Sequence, residues 1–267
     1  MYRELDAARL RTLLRIDEDQ LPGVLIVMGE RHVQRAASRM AAYLEDPHEL
    51  RATPGYLCWY KGLGVAAVGA FGAAMAGDYV HLWCGAGVPL VFQLGWFGAL
   101  QHGMDAGDVV VPHHAAREDG VSDWYLPKGI LADATPELAS AVGARLRGHG
   151  LNVSEGPLST TPAMFAQSRE VVADWSRHGW LGVDMETAAT FAVAKHFGAR
   201  RAAALVLIDD LVGEKNSLAD VATIRALAPL LREREEAVLR AVLDVATEAL
   251  AADAAEARPP GSWTRRA

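Results

Sequence analysis

The sequence predicts an α/β fold: a single domain in which a central twisted mixed sheet, mainly parallel, is flanked by helices. Short apolar segments alternate with longer segments of helical periodicity, which is typical of a sheet covered on both faces. The chain has 267 residues and 51% hydrophobic residues, enough for one large core. We find no linker, repeat or internal boundary that would divide it.

The first half of the chain supplies the first strands and helices. Residues 23–28 are apolar throughout and predict a buried strand, which a turn at Gly29 connects to a helix over 32–44. Two further strands, 55–61 and 64–70, are close enough in sequence to form a hairpin. A helix over 73–84 and a short strand over 90–94, ending at Gly95, complete this half.

The second half repeats the alternation. Apolar runs predict the strands, and longer amphipathic runs predict the helices. The helix that begins at Thr187 ends at Gly198, because glycine tolerates the left-handed conformation of a helix end. The predicted strands are 108–115, 152–158 and 202–208, and the predicted helices are 136–148, 187–197 and 225–252.

The predicted domain covers residues 21–252. Residues 1–20 form a charged N-terminal segment of helical pattern without the apolar core of a signal peptide. Residues 253–267, which include Arg258-Pro259-Pro260, are predicted to be a disordered tail.

Composition excludes several classes of protein. A net charge of −7 disfavours nucleic-acid binding through a basic surface. The most apolar segment, 62–77, contains five glycines and is too short for a membrane span. Cys58 and Cys84 have neither metal-site spacing nor a disulfide pattern, so we expect no metal and a cytoplasmic location.

Acidic side chains lie at the start of one predicted helix and at the end of the strand that follows it. Asp184 and Glu186 precede the helix that begins at Thr187, and Asp209 and Asp210 end the strand that follows that helix. Ligands of open α/β sheets bind at the carboxyl ends of the strands. These four carboxylates therefore predict a binding site at one edge of the sheet.

The segment Val183-Asp184-Met185-Glu186-Thr187-Ala188, with Asp209-Asp210 after the next strand, resembles the family 1 nucleoside phosphorylases, which include purine nucleoside and uridine phosphorylases and related nucleosidases. That family has a V-E-M-E-[AST]-A segment and, in purine-specific members, an S-D pair. The resemblance, which extends over roughly 21–250, implies a pentosyltransferase acting on a small nucleoside. It also implies phosphate as co-substrate, no other cofactor, and a homo-oligomer that is a dimer or a trimer of dimers.

Glu186 matches the family residue that accepts hydrogen bonds from the ribose hydroxyls, and Met185 matches the methionine that packs on the sugar. Asp184, in the same segment, is a further candidate for substrate binding. The alternative for Glu186 is a purely structural role, as an acid stabilised by the dipole at a helix N-terminus.

Asp210 matches the aspartate that protonates the leaving purine, and Asp209 stands in place of the serine. Two adjacent carboxylates repel, which raises the pKa of one of them and suits an acid catalyst. The alternative is that Asp209 and Asp210 are solvated residues at the end of a strand and have no catalytic role.

A third segment resembles the uridine-specific branch instead. Phe165, Gln167 and Arg169 match, after a short deletion, a phenylalanine and a Q-x-R motif that read uracil in uridine phosphorylases. The alternative is that Gln167 and Arg169 are polar residues at the start of a helix and do not bind the substrate. The sequence therefore leaves the choice between purine and pyrimidine open.

The phosphate site resembles the family least. Its first segment reads Gly29-Glu30-Arg31, and only Arg31 is a cation there. In the segment that matches the family's R-x-G-[ST] motif, Gln93 replaces the arginine, Gly95 matches the glycine, and Trp96 replaces the serine or threonine. Phosphate needs several charged donors, so these changes predict a degenerate phosphate site.

Three functional hypotheses follow. The first is an enzyme that cleaves the N-glycosidic bond of a nucleoside or nucleoside-like substrate. The second is a nucleosidase that uses water, with Glu30 near the position of the base that activates water in such relatives. The third is a non-catalytic or biosynthetic nucleoside-binding protein that kept the fold.

Overall fold

Ten strands form one mixed sheet in the part of the chain that the computed structural model describes, residues 2–213 and 217–256. The strands are β1 (Val24–Gly29), β2 (Glu45–Glu49), β3 (Gly55–Tyr60), β4 (Leu63–Ala70), β5 (Leu90–Ala99), β6 (Val109–Arg117), β7 (Ala132–Asp133), β8 (Val153–Thr160), β9 (Gly182–Asp184) and β10 (Arg200–Asp210).

Seven α-helices belong to the same described residues. They are α1 (Ala7–Leu14), α2 (Val33–Ala41), α3 (Gly72–Ala86), α4 (Pro136–Gly148), α5 (Arg169–Arg177), α6 (Thr187–His196) and α7 (Val221–Glu256).

Strand β1 lies at the centre, parallel to β4 on one side and to β5 on the other. Beyond β4 the sheet continues through the antiparallel strands β3 and β2. Beyond β5 it closes into a ring, because β5 pairs with both β9 and β10, and these are joined through β8 and β6. The predicted twisted mixed sheet is therefore confirmed, with one half closed on itself.

Helices cover both faces of this sheet. Along β1, Val24, Ile26 and Met28 pack in a core that includes residues of α2, α4 and α7. Leu25 and Val27 point to the opposite face, against residues of α1, α3 and α6. This alternation is the period of two expected of a strand buried on both sides.

The predicted hairpin and the helix over 136–148 are confirmed. The prediction that the strand after residue 90 ends at Gly95 was wrong, because β5 continues to Ala99. Gly95 allows this continuation, since a Cβ there would lie 3.1 Å from the carbonyl oxygen of Gly29 on the neighbouring strand. Strands β2, β7 and β9 were not predicted, whereas the polar helix start considered at Gln167 and Arg169 corresponds to α5, which begins at Arg169.

The two ends of the chain differ from each other. Helix α1 packs on α3, with Leu10 and Leu14 buried. Helix α7 continues to Glu256, so residues 253–256 are helical and the predicted tail does not begin at 253. The rest of that predicted tail, 257–267, lies outside the described residues.

Candidate active site

A cavity of about 790 Å³ opens at the carboxyl ends of the central strands. Its walls come from the ends of β1, β5, β9 and β10, from the loops after β4 and β8, and from the first half of α7. Its volume lies within the range of about 300–1,000 Å³ that is usual for small-molecule sites. The predicted acidic edge of the sheet and the cavity therefore coincide.

Glu186 lies in this cavity at the start of α6 and is only 5% exposed. Its Oε1 atom accepts a hydrogen bond from the backbone N–H of Gly72 at 2.7 Å. Burial and the nearby charge of Asp184 raise the pKa of Glu186 from 4.5 to about 8. The Gly72 hydrogen bond thus fixes one oxygen of the Glu186 side chain, and its carboxyl group gains or loses a proton near neutral pH.

The second oxygen of Glu186, Oε2, faces the end of β1. A Cβ placed on Gly29 would lie 2.5 Å from this atom, so a larger residue there would have to displace the carboxylate. Gly29 therefore leaves open the space beside Oε2. This oxygen can accept hydrogen bonds from a ligand that carries adjacent hydroxyl groups.

Asp184 also lines the cavity, so its predicted contact with the substrate stays a prediction, and the side chain has a structural role as well. Its carboxylate accepts hydrogen bonds from the hydroxyls of Thr160 and Thr187, both at 2.6 Å. It also accepts from the backbone N–H groups of Thr187 at 2.8 Å and Glu186 at 3.2 Å. Asp184 therefore caps α6 and fixes the direction of the neighbouring Glu186.

Asp209 and Asp210 point to different places. Asp209 lines the cavity, and its Oδ1 accepts a hydrogen bond from the N–H of Leu218 at 3.3 Å. Asp210 does not line the cavity, and its Oδ1 accepts from the N–H of Gly213 at 2.8 Å. The expectation that Asp210 faces the substrate therefore disagrees with this geometry, because its carboxylate is engaged by the following loop.

The loop after β8 brings two of its three predicted residues to the cavity. Phe165 and Gln167 line it, and the Phe165 ring is 86% exposed at the mouth. Arg169 is exposed as the first residue of α5 and is not among the lining residues. Its contact with a base therefore stays a prediction, which the lining of the cavity does not support.

Gln93 and Trp96 occupy the region expected for phosphate. Gln93 is fully buried, and its amide donates to the carbonyl of Leu94 and accepts from Thr190, both at 2.8 Å. Trp96 lines the cavity, where it presents an indole. Gln93 and Trp96 therefore supply no positive charge to an anion, and the cations that line the cavity in the described part of the chain are Arg31, Arg35, Arg39 and Arg232.

Glu30 and Arg31 lie at the end of β1 and line the cavity. Both oxygens of Glu30 accept hydrogen bonds from the guanidinium of Arg39, which also binds Glu235 of α7 at 2.8 Å. Arg31 lies over the rings of Phe71 and Phe165, 5.9 and 5.5 Å from their centroids. Glu30 is consequently bound to a cation, and Arg31 is held at the mouth.

Sequence reasoning missed the wall that α7 contributes. Val221, Ile224, Ala228 and Leu231 line the cavity at helical spacing, followed by Glu235. Their i, i+3, i+7 pattern was visible as one apolar face of a long helix. Nothing in the sequence indicated that this face covers a ligand cavity rather than the protein core.

The described residues, 2–213 and 217–256, contain no group of three or more His, Cys, Asp and Glu side chains arranged for a metal ion. Within the same part of the chain, no helix has the length and apolarity needed to cross a bilayer.

The fold and this cavity together define an α/β protein that can hold a small hydroxylated ligand at the carboxyl edge of its sheet. The family model of the phosphorylase superfamily matches residues 23–244, and the chain belongs to that superfamily. The predicted family and the predicted nucleoside phosphorylase type of enzyme are thereby confirmed.

Two curated relatives agree with this family. A guanosine phosphorylase of Halorubrum lacusprofundi is 34% identical over 137 residues, which cover 50% of this chain and 56% of the relative. A purine nucleoside phosphorylase, DeoD-type 2, of Vibrio cholerae is 28% identical over 193 residues, which cover 70% of this chain and 82% of the relative. The first match thus spans about half of each chain.

Solved structures agree on the fold. The crystal structure of uridine phosphorylase from Vibrio fischeri ES114, complexed with 6-hydroxy-1-naphthoic acid, superposes with a TM-score of 0.77. It is 21% identical, and the superposition covers 88% of this chain and 95% of the other. A second crystal structure of uridine phosphorylase from that organism gives a TM-score of 0.76 at 22% identity. At this level of identity the likeness establishes the architecture alone.

Proposed function

We propose that this protein cleaves the N-glycosidic bond of a nucleoside or nucleoside-like substrate. The observation that carries the proposal is Glu186, a buried carboxyl group with one oxygen fixed by Gly72 and the other open to the cavity. Such a group can accept hydrogen bonds from both hydroxyls of a ribose. Met185 lines the same cavity and supplies an apolar contact for the sugar.

In this reaction the sugar acquires positive charge as the bond to the base breaks. An ionised Glu186 stabilises that charge through the hydroxyl groups that it binds. In the free protein, burial and Asp184 hold the pKa of Glu186 near 8, so much of it is protonated at neutral pH. Binding of the hydroxyl donors favours the ionised form and releases a proton.

We propose further that the nucleophile is not a tightly bound phosphate. Both ends of the Gln93 amide are used inside the protein, and Trp96 stands where a donor is needed. An anion that is desolvated without paired donors is held poorly. Phosphorolysis through this site is therefore weak.

Hydrolysis is the second candidate, and the apolar inner region favours it, since water needs no cationic site. The geometry does not favour Glu30 as the base that activates water, because both of its oxygens accept hydrogen bonds from Arg39. A non-catalytic binding role is the third reading. The free oxygen of Glu186 and the carboxylate of Asp209 in the cavity count against it.

One experiment tests all three readings. The protein is incubated with a panel of purine and pyrimidine nucleosides, with and without phosphate, and free base and pentose 1-phosphate are separated by chromatography. We expect free base to form in both conditions. Release of base only with phosphate would establish phosphorolysis, and binding without release would establish the non-catalytic reading.

The same preparation tests the expected homo-oligomer, which we propose on the basis of family membership alone. Light scattering coupled to size exclusion gives the mass directly. A mass of one 28.6 kDa chain would contradict the proposal.

A further inference from the structure

We infer that Asp209, not Asp210, is the acid that protonates the leaving base. This inference rests on the proposed function and concerns one step of it. As the bond between C1′ and the base nitrogen breaks, its electron pair passes to the base, and the proton of the Asp209 carboxyl group is transferred to a base nitrogen. Asp209 is left as a carboxylate, and phosphate, or water that releases a proton to the solvent, forms the new bond to C1′.

The backbone of β10 explains why the first aspartate faces the ligand. Leu207 pairs with Phe97 of β5, but the next pair is Asp209 with Gly98, so Ile208 is an extra residue in the strand. Such a bulge reverses the alternation of side chains beyond it. Ile208 and Asp209 consequently both line the cavity, and Asp210 turns away.

The hydrogen bonds of the two carboxyl groups also favour Asp209 as the residue that contacts the ligand. In the described residues, Asp209 accepts one hydrogen bond through Oδ1, a long one of 3.3 Å from Leu218, and Oδ2 has no partner. Both oxygens of Asp210 lie close to Gly213, whose N–H donates to Oδ1. One oxygen of Asp209 is therefore available to a ligand, whereas Asp210 closes the turn that follows the strand.

The electrostatic environment supports this geometry. Burial, together with the adjacent charge of Asp210, raises the pKa of Asp209 above its ordinary value. A raised pKa keeps more of the carboxyl group protonated at neutral pH, as an acid catalyst requires. Asp210 thus acts on its neighbour by its charge, although its side chain does not reach the cavity.

The test compares Asp209→Asn with Asp210→Asn, which are matched in chemistry and adjacent in sequence. Asparagine keeps an acceptor oxygen, so the bonds to Leu218 and Gly213 can survive. Each variant is assayed with the nucleoside that the wild type cleaves fastest and with 4-nitrophenyl β-D-ribofuranoside. Nitrophenolate leaves without protonation, so the second substrate does not need the acid.

We expect Asp209→Asn to lower kcat/KM by about 10²–10⁴ for the nucleoside, the range of general acid catalysis, and by less than about tenfold for the nitrophenyl riboside. Asp210→Asn removes the adjacent charge that raises the pKa of Asp209, so it should also slow cleavage of the nucleoside selectively, but by a smaller factor than Asp209→Asn. Asp209→Ser, which has no carboxyl group, should repeat the selective loss if Asp209→Asn is poorly folded.

A selective loss in Asp210→Asn alone would overturn the inference and restore Asp210 as the acid. Equal losses for both substrates in both variants would show that neither aspartate protonates the base. If the wild type cleaves the nitrophenyl riboside but no nucleoside, the inference that Asp209 protonates the leaving base is also overturned. If the wild type cleaves neither type of substrate, the proposed function fails as well, and this outcome is distinct from the others.

Discussion

Replacing Glu186 by glutamine removes the charge from the centre of the cavity and leaves its shape unchanged. The amide has one acceptor oxygen. If that oxygen keeps the hydrogen bond from Gly72, the NH₂ group faces the substrate hydroxyls where Oε2 stood. A hydrogen bond to a charged group is worth about 1.5–3 kcal/mol, and 1.36 kcal/mol corresponds to about tenfold in rate. Loss of two such bonds therefore lowers kcat/KM by about 10²–10⁴.

The assay measures kcat/KM for the best nucleoside and for its 2′,3′-dideoxy analogue, in the wild type and in Glu186→Gln. The dideoxy analogue lacks both hydroxyls, so the penalty of the substitution should nearly disappear with it. Glu137→Gln, at an exposed position in the first turn of α4, serves as the control variant. An equal penalty for both substrates, or no penalty, would refute the assignment of Glu186 to the ribose.

The same variant has an expected effect on stability. The folded-state pKa of Glu186 is raised, so its carboxyl group favours folding below pH 4.5, and that contribution is lost as pH rises to about 8. Glutamine carries no such penalty. We therefore expect Glu186→Gln to have the higher Tm at pH 9 and a smaller advantage at pH 5.

Three further predictions concern the same cavity. Gly29→Ala places a Cβ 2.5 Å from Oε2 of Glu186, and overpacking of about 1–3 kcal/mol should lower kcat/KM by about 5- to 150-fold. Gly148→Ala, where a Cβ meets no atom within 4 Å, should leave kcat/KM unchanged. The affinity for a ribose-containing ligand, measured by calorimetry between pH 6 and 9, should increase towards pH 8 with release of protons; a constant affinity would contradict the role of Glu186. Phosphate should change the rate of cleavage by less than about tenfold in a titration to millimolar concentration, and a strict requirement with micromolar affinity would show that other residues rebuild the site.

Much of the fold could be predicted because local signals and tertiary structure agree. The segment from Asp184 to Asp210 contains a capped helix, a glycine at φ +72° that ends it, and an apolar strand, and all three follow from residue type. Strand β2 could not be predicted in this way. Its residues Glu45–Glu49 are exposed and polar, and only pairing with β3 makes them a strand.

The site was predictable where it depends on one segment and not where it depends on long-range packing. Glu186 was identified from its motif. Arg39 and Glu235, by contrast, lie 196 positions apart and meet only because α2 and α7 cover the same face of the sheet. The direction of Asp209 depends on a bulge at Ile208, and the sequence Ile-Asp-Asp reads alike with or without one.

Helix α7 has a consequence for the synthesis of the protein. It is the last described element to leave the ribosome, yet Val221 to Glu235 form a wall of the cavity and Glu235 binds Arg39 on an early helix. Every motif that identifies the family has already been translated when α7 emerges. Until then the nascent chain exposes the apolar surface that α7 will cover, which is a target for chaperones. Ligand binding therefore begins only after α7 has been translated, and it reports whether that helix has docked.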